Sequence, residues 1–323
     1  MNIWPYDSTA DCRTQAFYAP AGSADRASLG DQLELVRLTE LMKRGEGRQE
    51  IKVGLIDGPV LLNHPDLIGS TIREIPGKFK ASCDVISSAV CTHGTFVAGI
   101  LTARRGSLAP AICPGCTLLL RPIFAERVNG NDVVPSATPV ELAEAIVDTV
   151  DAGARVVNLS SALVQPSPKF GNKLEQALDY AAQRGAIIVA AAGNQGIVGS
   201  SIITRNPWVI PVAACNLQGR PLVETNLGNS IGRRGLSAPG ENITSLGSDG
   251  KPRTFGGTSA ATPFVTGTIA LLLSEFPNAT AAHVKLALRQ AGVSSHGSVA
   301  PPVLDAGAAY EVMVSFRIER GMP

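Results

Sequence analysis

The chain has 323 residues, 45% of them hydrophobic, 17% charged and 5% aromatic, which is ample apolar material for a sizeable core and excludes a mainly disordered chain. Its 28 basic and 27 acidic residues leave a net charge of +1, and no stretch gathers the basic ones into the footprint of a nucleic-acid-binding protein. The start, MNIWPYDSTADCRTQAFYAP, has neither the basic nor the apolar region of a secretory signal, and no run of about 18 apolar residues could span a membrane, so a soluble cytoplasmic chain is expected.

Residues 1–29 show no clear period and read as an irregular N-terminal arm. Over 30–44 the spacing of Leu33, Leu35, Leu38 and Leu41 predicts a short amphipathic helix packed on the main domain. After GEGRQE a strand–helix alternation sets in. Apolar strands are predicted at 51–57, 117–124, 155–160, 186–192 and 208–214, and helices at 93–104, 139–152, 172–184, 262–275 and 280–291. Strands that are apolar throughout and separated by helices predict an α/β fold, a doubly wound, mostly parallel sheet with helices on both faces. One domain over 45–310 fits this pattern, with a tail at 311–323.

The six cysteines are Cys12, Cys83, Cys91, Cys113, Cys116 and Cys215. Cys113-Pro-Gly-Cys116 resembles a redox or zinc half-site, but a thioredoxin-like pair opens a helix, and here TLLLRPIF comes at once and reads as a strand. A zinc site asks for a second close pair, and Cys83 and Cys91 are widely spaced. Buried thiols or one or two structural disulfides are the better reading, and no metal or cofactor is expected.

Four histidines make the search for a general base short. His283 falls in a predicted helix and His296 in a Ser/Gly-rich loop, both suited to surface roles, while His64 precedes a proline in a loop. His93, in CTHGTFVAGILTAR at the mouth of a helix, is the best candidate. Ser259, in FGGTSAATPFVTGTIALLL, stands at a helix entry where free backbone N–H groups favour negative charge. Those residues alone leave two readings open, a nucleophile or a helix cap.

The blocks IKVGLIDGPV, THGTFVAG and GGTSAATPFVTG, in that order, resemble the three catalytic blocks of the subtilases, and VAAAGNQG resembles the block that carries their oxyanion-hole asparagine. The resemblance runs over about residues 45–293. It implies a serine endopeptidase with Ser259 as nucleophile, His93 as general base and then acid, Asp57 as the group orienting the imidazole, and Asn194 donating to the oxyanion. It also implies a substrate-residue pocket lined by Ser160, Ser161 and Ala162 on one side and Ala191, Ala192 and Gly193 on the other, with a further edge near Val133-Val134-Pro135. Family members often carry Leu-Gly-Gly where this chain has Ser161-Ala162-Leu163.

Within the family, Asp57-Gly58-Pro59-Val60 departs from the usual Asp-Ser-Gly, and LTARRGSLAPAICPGC is too short for the usual calcium loop. IDGPVLLNHPDL, TLLLRPIF and SAPGENI look like the PatA- and PatG-type proteases of cyanobactin maturation, which act in the cytoplasm on ribosomally made precursor peptides. PatA-like members remove the leader; PatG-like members close a macrocycle beneath a long helical insertion between the catalytic Asp and His. Here Asp57 and His93 are close in sequence, which favours the PatA-like branch and linear products. The alternatives are a general intracellular subtilase, a peptide macrocyclase or transpeptidase, and an inactive peptide-binding module. The expected partner is a peptide, with no nucleic acid and no membrane.

Overall fold

The computed structural model describes residues 3–4, 29–126, 137–160, 162–163, 171–292 and 298–319. In chain order the elements are β1 (Ile3–Trp4), α1 (Leu29–Leu35), α2 (Leu38–Arg44), β2 (Lys52–Ile56), a 3-10 turn (Pro65–Leu67), β3 (Ile72–Glu74), α3 (Ala89–Thr102), β4 (Thr117–Leu120), α4 (Pro139–Asp151), β5 (Val156–Leu159) and β6 (Ala162–Leu163). The second half of the chain adds α5 (Gly171–Gln183), β7 (Ile187–Ala191), α6 (Ile202–Arg205), β8 (Val209–Cys215), α7 (Asn229–Arg234), β9 (Leu236–Pro239), β10 (Ile243–Leu246), β11 (Pro252–Phe255), α8 (Thr258–Glu275), α9 (Ala281–Ala291) and α10 (Ala306–Glu319).

Seven strands form one sheet in the order β3-β4-β2-β5-β7-β8-β9, and every neighbouring pair is parallel. Successive side chains of a strand point to opposite faces, so a strand apolar throughout must be covered twice. Val53 and Leu55 of β2, Val156 of β5 and Val189 of β7 pack with Phe96 and Ile100 of α3 and Phe264 and Val265 of α8. Ile56, Val157, Leu159 and Ile188 face the other way, onto Leu142 and Ile146 of α4 and Leu174 and Leu178 of α5. The doubly wound α/β fold expected from the sequence is the fold observed. Two small antiparallel pairs are separate from this sheet, β10 with β11 and β1 with β6.

Local chemistry fixes the helix starts. Ser88 accepts from Cys91 N ahead of α3, and Thr138 and Glu141 form a capping box ahead of α4. Several elements differ from the expectation. The helix predicted over 30–44 is two helices broken at Arg37, which sits at φ 49° while its guanidinium binds Asp305 and Glu311. That break depends on α10, which leucine spacing cannot reveal. The strand predicted at 117–124 ends at Leu120, ahead of Pro122, which has no N–H to give the ladder, and the Arg121 side chain pairs with Asp148 at 2.9 Å. The predicted tail is, through residue 319, the second half of α10; Met313 is buried and Tyr310 lies under Arg44 and beside Phe276. Residues 5–28, most of the expected N-terminal arm, and Cys12 lie outside the described residues.

Cys83 and Cys91 form a disulfide, and Cys113, Cys116 and Cys215 are buried thiols. Cys113 is held well above the usual thiol range by its hydrogen bond with Cys116 and then by burial, and the same hydrogen bond lowers Cys116. Among the described residues no helix is long and apolar enough to cross a membrane.

Phe264 is fully buried at the centre of α8, where the helix crosses the sheet. Phe264→Ala should cost about 3–5 kcal/mol in urea unfolding; an unchanged midpoint would mean that α8 is not the core element described.

Candidate active site

The site grows from the carboxyl ends of the parallel strands, where an open α/β sheet leaves its loops free to converge. Asp57 comes directly after β2, Ser160 directly after β5, Asn194 lies three residues after β7, and α8 enters after the β10–β11 hairpin. Asp57, His93 and Ser259 are 1%, 2% and 7% exposed, so charge interactions among them act in a largely dry environment.

Asp57 Oδ1 stands 2.6 Å from His93 Nδ1 and accepts from Gly58 N at 2.7 Å. With the Nδ1 proton directed at the carboxylate, the neutral ring keeps its lone pair on Nε2 and can take a proton there. The contact needs two backbones to meet. A Cβ on Gly58 would lie 2.1 Å from Val90 O, and one on Gly94 would lie 2.3 Å from Pro59 O and 2.6 Å from Gly58 O. Glycine directly after Asp57 and directly after His93 is therefore what lets α3 approach the loop leaving β2. The departure from Asp-Ser-Gly seen in the sequence falls at this contact.

Helix α3 also packs against α8, which carries Ser259 in its first turn. The sequence placed His93 and Ser259 at the mouths of their helices; α3 starts four residues before His93 and α8 one residue before Ser259. Asn194 Oδ1 accepts from both Thr258 N and Thr258 Oγ1 at 2.9 Å. A backbone N–H can only donate, so the amide oxygen must face Thr258, which leaves Nδ2 to donate elsewhere. Gly257, at φ 89°, permits this turn, and a Cβ there would come within 2.9 Å of Asn194 Nδ2. Asn226, which pattern reading did not single out, braces the same loop: Nδ2 donates to Ala192 O and Oδ1 accepts from Gln195 N and Ile197 N.

Of the expected pocket residues, Ser160, Ala191 and Ala192 are buried, and Gly193 N donates to Thr258 Oγ1 at 3.3 Å. The Ser160 hydroxyl turns inward and donates to the carbonyl of Ser259 at 3.1 Å. Ala162 is described through its backbone, which pairs with Trp4. Ser161 and Val133-Val134-Pro135 lie outside the described residues. His64 is buried, caps the 3-10 turn by accepting from Asp66 N, and has its pKa lowered by that burial. His283 belongs to the capping box of α9, and His296 lies outside the described residues. Ligand atoms of Cys83, Cys91 and Glu126 fall within 4.8 Å of one another. The two sulfurs are bonded together, however, and the carboxylate already accepts from Asp84 N, Val85 N and Ser88 Oγ, which occupies this donor set structurally. Burial, and then the charge of Glu241, pushes the Cys215 thiol up to about 12.

Gly94→Ala tests the close approach. It should leave the circular dichroism spectrum in place and lower peptide cleavage at least about tenfold by separating His93 from Asp57; an unchanged rate would mean that this contact does not set the site.

The chain matches the subtilase family over residues 48–302. It is 32% identical over 237 residues to a thermophilic serine proteinase of Bacillus sp. (strain AK1), covering 73% of this chain and 54% of that protein. It is 30% identical over 296 residues to mycosin-3 of Mycobacterium tuberculosis (strain ATCC 25618 / H37Rv), covering 75% and 61%. The chain thus spans about half to three fifths of the length of these relatives. Among solved structures, a mutant of the protease domain of PatA superposes with a TM-score of 0.77 at 29% identity, covering 84% of this chain and 97% of that one. The prenylagaramide maturation protease PagA gives 0.74 at 28%, covering 85% and 98%. The PatG macrocyclase domain, at 0.74 and 19%, shares the fold. With the Asp57, His93 and Ser259 blocks all inside the matched span, the chain belongs to the subtilase family.

Proposed function

We propose that this chain is a serine endopeptidase that cuts a ribosomally made precursor peptide and releases linear products. The observation that carries the reading is the buried 2.6 Å contact between Asp57 and His93 beside a helix that opens on Ser259. Ser259 Oγ attacks the scissile carbonyl while His93 Nε2 takes its proton. The same imidazolium then protonates the leaving amine, and water repeats the sequence to free the acyl group. Asp57 holds the ring in the tautomer this requires. The oxyanion receives Asn194 Nδ2 and the backbone N–H of Ser259. The substrate lies extended, with the residue before the cut between Ser160-Ser161-Ala162 and Ala191-Ala192-Gly193.

Precursor processing is supported by the likeness to the PatA protease domain and to the maturation protease PagA, each covered almost end to end. Linear release is supported by the segment between Asp57 and His93, which are 36 positions apart. Before α3 it holds only a three-residue 3-10 turn and the three-residue β3. Neither can roof the acyl-enzyme and keep water from it, as a cyclising enzyme must.

Ser259→Ala should lower cleavage by several orders of magnitude with the fold intact, and a fluorophosphonate probe should label the wild type and not the variant. Asn194→Ala should lower kcat about 10²–10³-fold, the magnitude known from subtilisin itself. Mass spectrometry of a digested precursor peptide should show two linear fragments. A product one water lighter than the linear core would place the chain with the cyclases, and an unlabelled wild type would make it a binding module.

A further inference from the structure

A helical carbonyl at residue i accepts from the N–H of residue i+4. For Ser259 that residue is Pro263, which has no N–H to give. The helix bond that would hold the nucleophile's own carbonyl is therefore missing from a fully buried stretch, where backbone polar groups must find partners. The hydroxyl of Ser160, at the end of β5, donates to that carbonyl at 3.1 Å.

Ser160 is itself held. Asn158 Nδ2 donates to Ser160 Oγ at 2.7 Å, so the one hydroxyl proton of Ser160 is directed at Ser259 O. Thr266 Oγ1, two turns along α8, donates to Asn158 Oδ1 at 2.9 Å. Asn158, Ser160 and Thr266 are 0%, 1% and 0% exposed. Asn158 is also the one polar side chain in β5, whose other residues are Val156, Val157 and Leu159. Such a group would be costly in a sheet core unless its bonds were all met.

We infer that Ser160 is a positioning residue for the peptide-cleaving reaction, acting through the Ser259 carbonyl that Pro263 releases, with Asn158 and Thr266 fixing its direction. The inference rests on the reading of Ser259 as nucleophile. A carbonyl tied to its own helix would leave Ser259 free to move with α8. Tied to β5, it is registered against the sheet: β5 pairs with β2, which leads into Asp57, and with β7, which leads towards Asn194. The helix start is gripped from two sides, by Asn194 at Thr258 and by Ser160 at Ser259.

The test is a double-mutant cycle in the full chain, read as kcat and KM for a peptide substrate. Ser160→Ala should lower kcat about 10–100-fold with KM changed little, because a misplacement near 1 Å is enough for that loss. Pro263→Ala returns the helical N–H, so adding Ser160→Ala to it should cost less than about threefold, far short of the product of the two single losses. Fully multiplicative losses would overturn the inference, and so would a raised KM with kcat kept, which would make the Ser160 hydroxyl a substrate contact and not a brace on Ser259. If Ser160→Ala does not fold, Thr266→Val against Thr266→Ser reads the same chain: kcat should fall in the first and persist in the second, and equal values would overturn it. Fluorophosphonate labelling of wild-type Ser259 separates the outcomes. A labelled wild type with multiplicative losses sinks only the positioning role, whereas an unlabelled one sinks the nucleophile.

Discussion

The 2.6 Å contact between Asp57 and His93 is the constraint to which the rest of the site is fitted. A carboxylate and an imidazole that are both nearly dry must be placed so that each satisfies the other, since breaking a buried pair by losing one partner costs about 3–5 kcal/mol. Placing them requires the backbone after Asp57 to touch the first turns of α3, at distances that only glycine tolerates at positions 58 and 94. Cys83–Cys91 closes the same junction from outside. Cys91 is on α3 two positions before His93, and the segment at Ala81–Cys83 exchanges backbone bonds with Val60, just beyond Asp57. The β10–β11 hairpin backs α3 from its other side: Ser245 Oγ bonds Phe96 O at 2.7 Å, and the Phe96 and Phe255 rings stand 4.8 Å apart. The imidazole is therefore held by the packing of its whole helix.

The sheet supplies the second kind of order. Parallel strands end on one side, and each of three neighbours, β2, β5 and β7, hands one polar residue to the site: Asp57, Ser160 and Asn194. Because the strands are bonded to one another in a fixed register, the spacing between those residues is set by backbone pairing and does not rest on loop conformation. The helices then bring in what the strands cannot. α3 delivers His93, and α8 delivers Ser259 in its first turn, at a helix terminus whose dipole favours negative charge.

How much of this the sequence revealed depended on whether its cause was local. The apolar runs announced β2, β5, β7 and β8 to within a residue or two, because a strand covered on both faces has no polar alternative. Asp57, His93, Ser259 and Asn194 stood out through four ordered blocks. Leu236–Pro239, Ile243–Leu246 and Pro252–Phe255 did not stand out as strands, since each mixes polar residues or proline into a four-residue run. Asn158, Asn226 and Thr266 were missed for a different reason. A single buried asparagine has no local signature when its partners stand 34 or 108 positions away. The break at Arg37 is of the same kind, fixed by Asp305 and Glu311 from the far end of the chain. Interrupted apolar runs such as Val156-Val157-Asn158-Leu159 are the one hint the sequence does give.

The start of α8 shows how stability yields to chemistry. α3, α4 and α9 each begin with a Ser or Thr whose side chain accepts from the first turn, a device worth about 1 kcal/mol. α8, 18 residues long, begins after Gly257 and has no side-chain cap of its own. On the proposed reading of Ser259 as nucleophile, a capping side chain on the residue before the helix would put electron density where the oxyanion would form. The chain instead borrows Asn194 from another strand, which binds Thr258 through its oxygen and keeps its nitrogen for donation. Pro263 removes one more local bond from the same turn, and Ser160 replaces it from the sheet. At Pro263 an intrahelical bond has given way to one from the residue that follows β5, and at Thr258 the helix N-terminus takes its partner from the loop after β7. The cost in helix stability is met by a helix buried along nearly its whole length, and on the proposed reading the gain is a nucleophile positioned by the strands that also place Asp57 and Asn194.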